Sequence, residues 1–147
     1  MSKVKALYHI VFCTKARKKT LSMDYLEDLH CFITKIIKDK GARLLRIGGV
    51  ENHIHILIDL HPSLALSDLV RDMKSLSSLW LKADPRFPYF EGWGTEYYAC
   101  AVSPAHQDAV VNYIMTQREH HCGIPFDDEL IRLHSTAGIA YDDRNMR

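Results

Sequence analysis

Two short patterns in this chain combine residue types that can hold a metal ion and attack an electrophile. The first is His53-Ile54-His55, inside the run Val-Glu-Asn-His-Ile-His-Ile-Leu-Ile-Asp-Leu over residues 50–60. Ile54, Ile56 and Ile58 fall on one parity, and His53, His55 and Leu57 on the other. Strict alternation predicts a half-buried β-strand with the isoleucines toward a core and both imidazoles on the opposite face. Two residues along a strand span about 6.6 Å. Metal–nitrogen bonds are about 2.0–2.2 Å long, so the two rings can lean onto one ion. The plain alternative is a pair of histidines on a wet sheet face, which the clean alternation weakens. The second pattern is Tyr113 and Gln117, four apart on a predicted helix and therefore on one face. A tyrosine hydroxyl, once activated, can attack phosphorus and form a covalent phosphotyrosine. A glutamine carbonyl oxygen is a hard ligand that magnesium or manganese accepts. Two imidazoles and one amide oxygen leave about three positions open on an octahedral ion, suited to water and phosphate oxygens. Alone, a tyrosine–glutamine pair on a helix is usually core plus surface. Its weight comes from the histidine strand.

Those side chains need a frame. Ala6 to Thr14 is apolar, β-branched and aromatic, which predicts a central strand. Lys15-Ala16-Arg17-Lys18-Lys19 follows, a basic loop that reads either as solvated or as a phosphate contact. Ser22 is the expected cap of a helix carrying Leu26, Leu29, Ile33, Ile36 and Ile37, and Gly41 is its stop. Arg43 to Ile47 is a second strand, which Gly48-Gly49 should bend into the His53 strand as a hairpin or bulge. A second helix, capped near Ser67, has the stripe Leu66, Leu69, Val70, Met73, Leu76, Leu79 and Trp80. Residues 84–94 hold Pro85, Pro88, Gly92 and Gly94 and read as a loop. Tyr97 to Val102 is a fourth strand. Ser103 as N-cap and Pro104 at N1 start a third helix that should run to about His121, ended by Gly123 and Pro125. Phe126 to His134 is a further short helix, and a tail follows from about residue 135. The order β-α-β-β-α-β-α predicts an α+β, ferredoxin-like antiparallel sheet covered on one face by two helices, with an additional C-terminal helix that bears the tyrosine.

Composition narrows the setting. The 147 residues predict one domain over 1–147 with a sizeable core. A net charge of +1 provides no global basic field, so any nucleic-acid contact must come from local patches. No apolar run approaches a membrane span, and the N-terminus lacks a signal-peptide pattern, so a soluble cytoplasmic protein with no membrane partner is expected. Cys13, Cys31, Cys100 and Cys122 lack Cys-x-x-Cys spacing and read as reduced thiols.

At this point the chain resembles the HUH-superfamily single-tyrosine (TnpA-type) transposases of the smallest bacterial and archaeal insertion sequences. The HUH motif stands as His53-Ile54-His55 and the tyrosine-helix motif as Tyr113-Ile114-Met115-Thr116-Gln117. Tyr8 to Lys15, Ser67 to Lys74 and Ala101-Val102-Ser103-Pro104 also look like the family, in order, from about residue 5 to about residue 135. The resemblance implies a DNA transposase that cleaves and rejoins single-stranded DNA at hairpin-marked element ends. Mg2+ or Mn2+ would sit on His53, His55 and Gln117, and Tyr113 would form a 5′-phosphotyrosine. The link conserves the phosphodiester energy, so no nucleotide cofactor is implied. It further implies a homodimer whose active sites can combine the histidine strand of one subunit with the tyrosine helix of the other, with the fourth strand as a candidate pairing edge. Lys15, Arg17, Lys18, Lys19, Arg43 and Arg46 become candidate DNA-backbone contacts, and Trp93 or Tyr89 a stacking platform for an unpaired base. Three alternatives stay open. His120, His121 and Cys122 with the strand histidines could form a zinc site. The fold could be a non-catalytic nucleic-acid-binding module, although such sheets display aromatics where this chain has histidines. It could also be a domesticated nuclease acting on chromosomal repeats.

Overall fold

The computed structural model describes residues 3–117 and 125–142. Four antiparallel strands, β1 (Leu7–Cys13), β2 (Arg43–Val50), β3 (His53–Asp59) and β4 (Tyr98–Val102), form one sheet in the order β2-β3-β1-β4. The helices are α1 (Leu26–Asp39), α2 (Leu66–Ala83), α3 (Gln107–Met115) and, as the fourth here, α4 (Phe126–Ala137). This is the expected α+β arrangement, with β3 in the interior of the sheet. No helix among the described residues is long and apolar enough to cross a membrane.

The isoleucines of β3 do what their parity predicts. Ile54, Ile56 and Ile58 pack with Ile10 and Phe12 of β1 against α1 and α2, in the main core. The alternative of a wet histidine face does not hold, and the strand is more than half-buried. His53, His55 and Leu57 are fully buried too. Val11, Cys13 and Tyr98 pack under Phe126 and Leu130 of α4, while Leu7 and Leu57 pack under Ile114 of α3. The sheet is therefore sandwiched, and its second face is an enclosed, low-dielectric site. On α2 the observed buried side is Leu69, Val70, Met73, Ser77 and Leu81, leaving Leu76 and Leu79 exposed.

Local boundaries shift for identifiable reasons. A 3-10 turn, Met23–Tyr25, separates Ser22 from α1, so the Ser22 side chain makes no cap hydrogen bond. Gly41, at φ +86°, adopts the left-handed conformation that ends α1. α2 begins at Leu66 with Ala65 as its N-cap, so Ser67 lies inside it. A 3-10 turn, Pro104–His106, precedes α3, and the Ser103 hydroxyl bonds His106 Nδ1 at 2.6 Å rather than capping the helix. The described part of α3 ends at Met115; residues 118–124, including the expected stop at Gly123 and the His120, His121 and Cys122 candidates, lie outside the described residues.

Gly48 and Gly49 stay within β2, and the turn into β3 falls at Glu51–Asn52. Gly48 has a different task. It pairs with His55, and a Cβ placed on it would lie 2.7 Å from the Ile114 carbonyl oxygen and 2.9 Å from its Cγ2. Absence of that carbon lets α3 press onto the sheet. Gly48→Val is expected to lift α3, costing about 1–3 kcal/mol as overpacking does. Thermal melts of the variant check this.

Candidate active site

Four elements converge on the buried sheet face. β3 supplies His53 and His55, β1 supplies His9, α3 with the residues just after it supplies Tyr113 and Gln117, and α4 supplies Glu129. In the sheet, His55 pairs with Val11, and His9 sits two pairs further along opposite Leu57, on the same face, so the His9 and His55 rings stack at 5.1 Å.

Hydrogen bonds orient both strand imidazoles. Asn52 Nδ2 donates to the Arg17 carbonyl at 3.3 Å, which leaves Asn52 Oδ1 facing His53 Nδ1 at 2.8 Å. That oxygen only accepts, so the proton is on His53 Nδ1 and the Nε2 lone pair points into the site. Phe126 stacks flat on the same ring, 3.7 Å between centroids at 5°. His55 Nδ1 lies 2.9 Å from His9 Nε2. Burial, with His55 alongside, lowers the His9 pKa to about 3 against a smaller opposing pull from Glu129, so His9 stays neutral and its Nε2 can accept a hydrogen bond from His55 Nδ1–H. This partnering turns His55 Nε2 toward the site as well.

The two Nε2 atoms meet oxygens. Gln117 Oε1 is 3.2 Å from His53 Nε2, its orientation set because Gln117 Nε2 donates to the Tyr113 carbonyl at 3.1 Å. Glu129 Oε1 is 3.1 Å from His55 Nε2, and Glu129 Oε2 is 3.9 Å from His53 Nε2. His53, His55 and Glu129 can each present a ligand atom within 4.8 Å of the others. Lone pairs facing lone pairs in a buried pocket require a proton or a cation between them. Nitrogen and oxygen donors of this kind suit a divalent first-row ion or magnesium, so the residues present fit a metal.

Tyr113 closes the cluster. Its ring stands edge-on to His55 at 5.5 Å, and its hydroxyl donates a hydrogen bond to Glu129 Oε1. Burial, with that carboxylate beside it, holds the phenol well above the ordinary tyrosine range, so the resting hydroxyl keeps its proton. The geometry therefore brings His53, His55, Tyr113 and Gln117 together within one chain, and adds Glu129 and His9. Glu129 was visible as an acid three residues after Phe126, on the helical side shared with Leu130 and Leu133; His9 was visible as a histidine inside an apolar strand.

Outside this cluster, Lys15, Lys18, Lys19, Arg43 and Arg46 are exposed. Arg17 is not. It is 8% exposed, its guanidinium donating to Asp127 at 2.6 Å and to the Tyr141 hydroxyl at 2.9 Å, so it ties the basic loop to α4. Trp93 is half-buried, donates to the Ser77 hydroxyl at 3.0 Å and packs edge-on against Phe12 and Phe90 at the border of the main core. Tyr89 is 75% exposed.

His9 has a measurable role if it orients His55. Loss of a partner behind a metal-binding histidine typically costs ten- to a hundredfold in affinity, so about that loss is expected for His9→Leu. His9→Gln, which keeps an acceptor, should recover most of it. Calorimetric titration of each variant with manganese measures the difference.

Known proteins share this architecture. A REP-associated tyrosine transposase bound to a REP hairpin superposes with a TM-score of 0.65 at 16% identity, covering 84% of this chain and 76% of that one. The IS200 transposase of Salmonella typhimurium is 29% identical over 117 residues, 76% of each protein. The ISDra2 transposase TnpA of Deinococcus radiodurans is 22% identical over 119 residues, 76% of this chain and 84% of that protein. The family model described as "Transposase IS200 like" matches residues 2–117, a span that takes in the histidine strand and ends on Gln117, leaving α4 and Glu129 beyond it. A match of that extent makes the chain a member of the IS200-like transposase family.

Proposed function

We propose that this transposase cuts and rejoins single-stranded DNA at hairpin-marked ends through a covalent bond to Tyr113. The observation that carries the reading is the Glu129 carboxylate, which receives the Tyr113 hydrogen and faces the His55 Nε2 lone-pair direction. Nucleophile and candidate metal ligands thus meet at one group.

In the proposed reaction, Tyr113 Oη attacks the scissile phosphorus and its proton passes to Glu129. The Oη–P bond forms, the P–O3′ bond breaks, and the freed 3′-oxygen takes up a proton. His53, His55, Gln117 and Glu129 would hold Mg2+ or Mn2+, which supplies neutralisation of phosphate charge and a lower phenol pKa. Asn52 and His9 keep the two imidazoles turned inward. Lys15, Lys18, Lys19, Arg43 and Arg46 remain candidate backbone contacts, being exposed cations just after β1 and along β2.

A hairpin-bearing single strand from the element's own end, incubated with magnesium, manganese, zinc or chelator and resolved on a denaturing protein gel, tests the reading. A shifted protein–DNA band that needs magnesium or manganese is the expected result. Hairpin binding with no adduct under any metal would instead point to a non-catalytic binding module. The homodimer is part of the same proposal, with the outer edge of β4 as the pairing strand. Sedimentation equilibrium of the DNA-free protein should return twice the 16.9 kDa chain mass.

A further inference from the structure

A cavity of about 600 Å³ opens beside the catalytic cluster, between β4, α3 and α4. Tyr113 and Glu129 form its inner wall. The remaining walls are mainly apolar, with Tyr98, Val110 and Leu133, and the polar groups are few: the His106 imidazole and the Arg132 guanidinium among them. Of the groups lining this cavity, the reaction outlined above uses only His9, Tyr113 and Glu129. Its size falls within the range of about 300–1,000 Å³ typical of small-molecule sites, and an apolar enclosure with a few convergent polar groups is the usual form of such sites.

We propose that the cavity binds the first nucleoside on the 3′ side of the cut, the one whose 5′-phosphate stays bonded to Tyr113. The proposal rests on the DNA-cutting reading and specifies where that strand goes. In phosphoryl transfer the attacking and leaving oxygens lie in line across phosphorus. The departing 3′-oxygen therefore leaves on the side away from Tyr113 Oη, while the O5′ of the retained nucleoside is equatorial and stays joined to Oη through one phosphorus atom, within reach of the cavity that Tyr113 lines. A base and its deoxyribose offer flat apolar faces to Tyr98, Val110 and Leu133, as bases do on aromatic platforms. Arg132 and His106 offer donors to the polar base edge or to the next phosphate. Holding the retained nucleoside keeps the covalent intermediate in place while the free 3′-end is exchanged.

Cys100 lines the same cavity and is half-buried, which supplies a reporter independent of catalysis. The chain carrying Cys31→Ser and Cys122→Ser leaves Cys100 and the buried Cys13. Its alkylation by a small reagent is followed by mass spectrometry with each of the four deoxynucleoside 5′-monophosphates, which mimic the retained end. The 3′-monophosphates and inorganic phosphate serve as controls. Magnesium is present throughout, because the Glu129 carboxylate would otherwise repel the phosphate. At about ten times a millimolar Kd, at least one 5′-monophosphate should slow Cys100 alkylation about tenfold. The 3′-monophosphates and phosphate should leave it unchanged, and Arg132→Gln should weaken the protection.

Undiminished alkylation with every 5′-monophosphate, or equal protection by the 3′-monophosphates, would overturn the assignment. Adduct formation on hairpin DNA is measured on the same preparation. Adduct without protection removes the cavity assignment and leaves the nuclease reading standing. Protection without adduct keeps a 5′-nucleotide site and removes the covalent chemistry.

Discussion

Tyr113→Phe is expected to eliminate the covalent protein–DNA adduct altogether while the protein still folds and still binds a hairpin. The ring itself is kept, with its edge contacts to His55 at 5.5 Å and His9 at 6.1 Å, so the packing of α3 on the sheet changes little. What disappears is one oxygen. Loss of its hydrogen bond to Glu129 leaves a buried carboxylate with one donor fewer, a cost of about 1–3 kcal/mol. That is tolerable for a domain of this size. The chemical consequence is larger, because the bond that defines the intermediate has no atom to form from. Denaturing gels should show no shifted band at any metal concentration, while native gels should show hairpin affinity within a few-fold of the parent. An adduct that survives the substitution would assign the nucleophile elsewhere.

His53→Ala should remove metal binding and cleavage together. The imidazole is fully buried, held by Asn52 on one nitrogen and facing Gln117 and Glu129 with the other. Its removal deletes a ligand, and it also empties the space against Phe126. Large-to-small changes of this kind cost about 2–5 kcal/mol in the worst-packed cases. The two effects separate by titration. In the parent protein, manganese at about a hundred times its Kd should add about 2.7 kcal/mol of stability. For a chain of this length that is a Tm rise of about 5–10 °C. In His53→Ala the rise should vanish even where the apo-protein still melts cooperatively. A variant that keeps the full manganese-dependent rise would show that His53 is no ligand, and the site would then have to be built on His55, Gln117 and Glu129.

Much of the frame was readable from local pattern. Alternation in β3, the helical stripes of α1 and α2, and the Pro104 start before α3 all depend on periods of two or 3.6 and on backbone preferences, which neighbouring residues determine among themselves. Turn and cap positions were read less well. Ser22, Ser67 and Ser103 carry the right side chain for an N-cap, yet a 3-10 turn or an earlier start displaces two helices and shifts the third. Leu76 and Leu79 show the same limit, since apolar residues at helical spacing do not reveal which side of the helix meets the sheet.

The sequence by itself determined that two histidines share one face of a strand and that a tyrosine and a glutamine share one side of a helix. These are consequences of covalent geometry within single elements. Tertiary structure decided everything that lies between elements. The packing of α3 against Gly48 brings Tyr113 over the histidines, and α4 turns a wet sheet face into a buried one and delivers Glu129. Register between β1 and β3 places His9 behind His55. Arg17 loses its solvent because Asp127 and Tyr141 reach it from the far end of the chain. Each of these contacts joins residues widely separated in sequence, where periodicity carries no information. Only the closing of the core selects the partner.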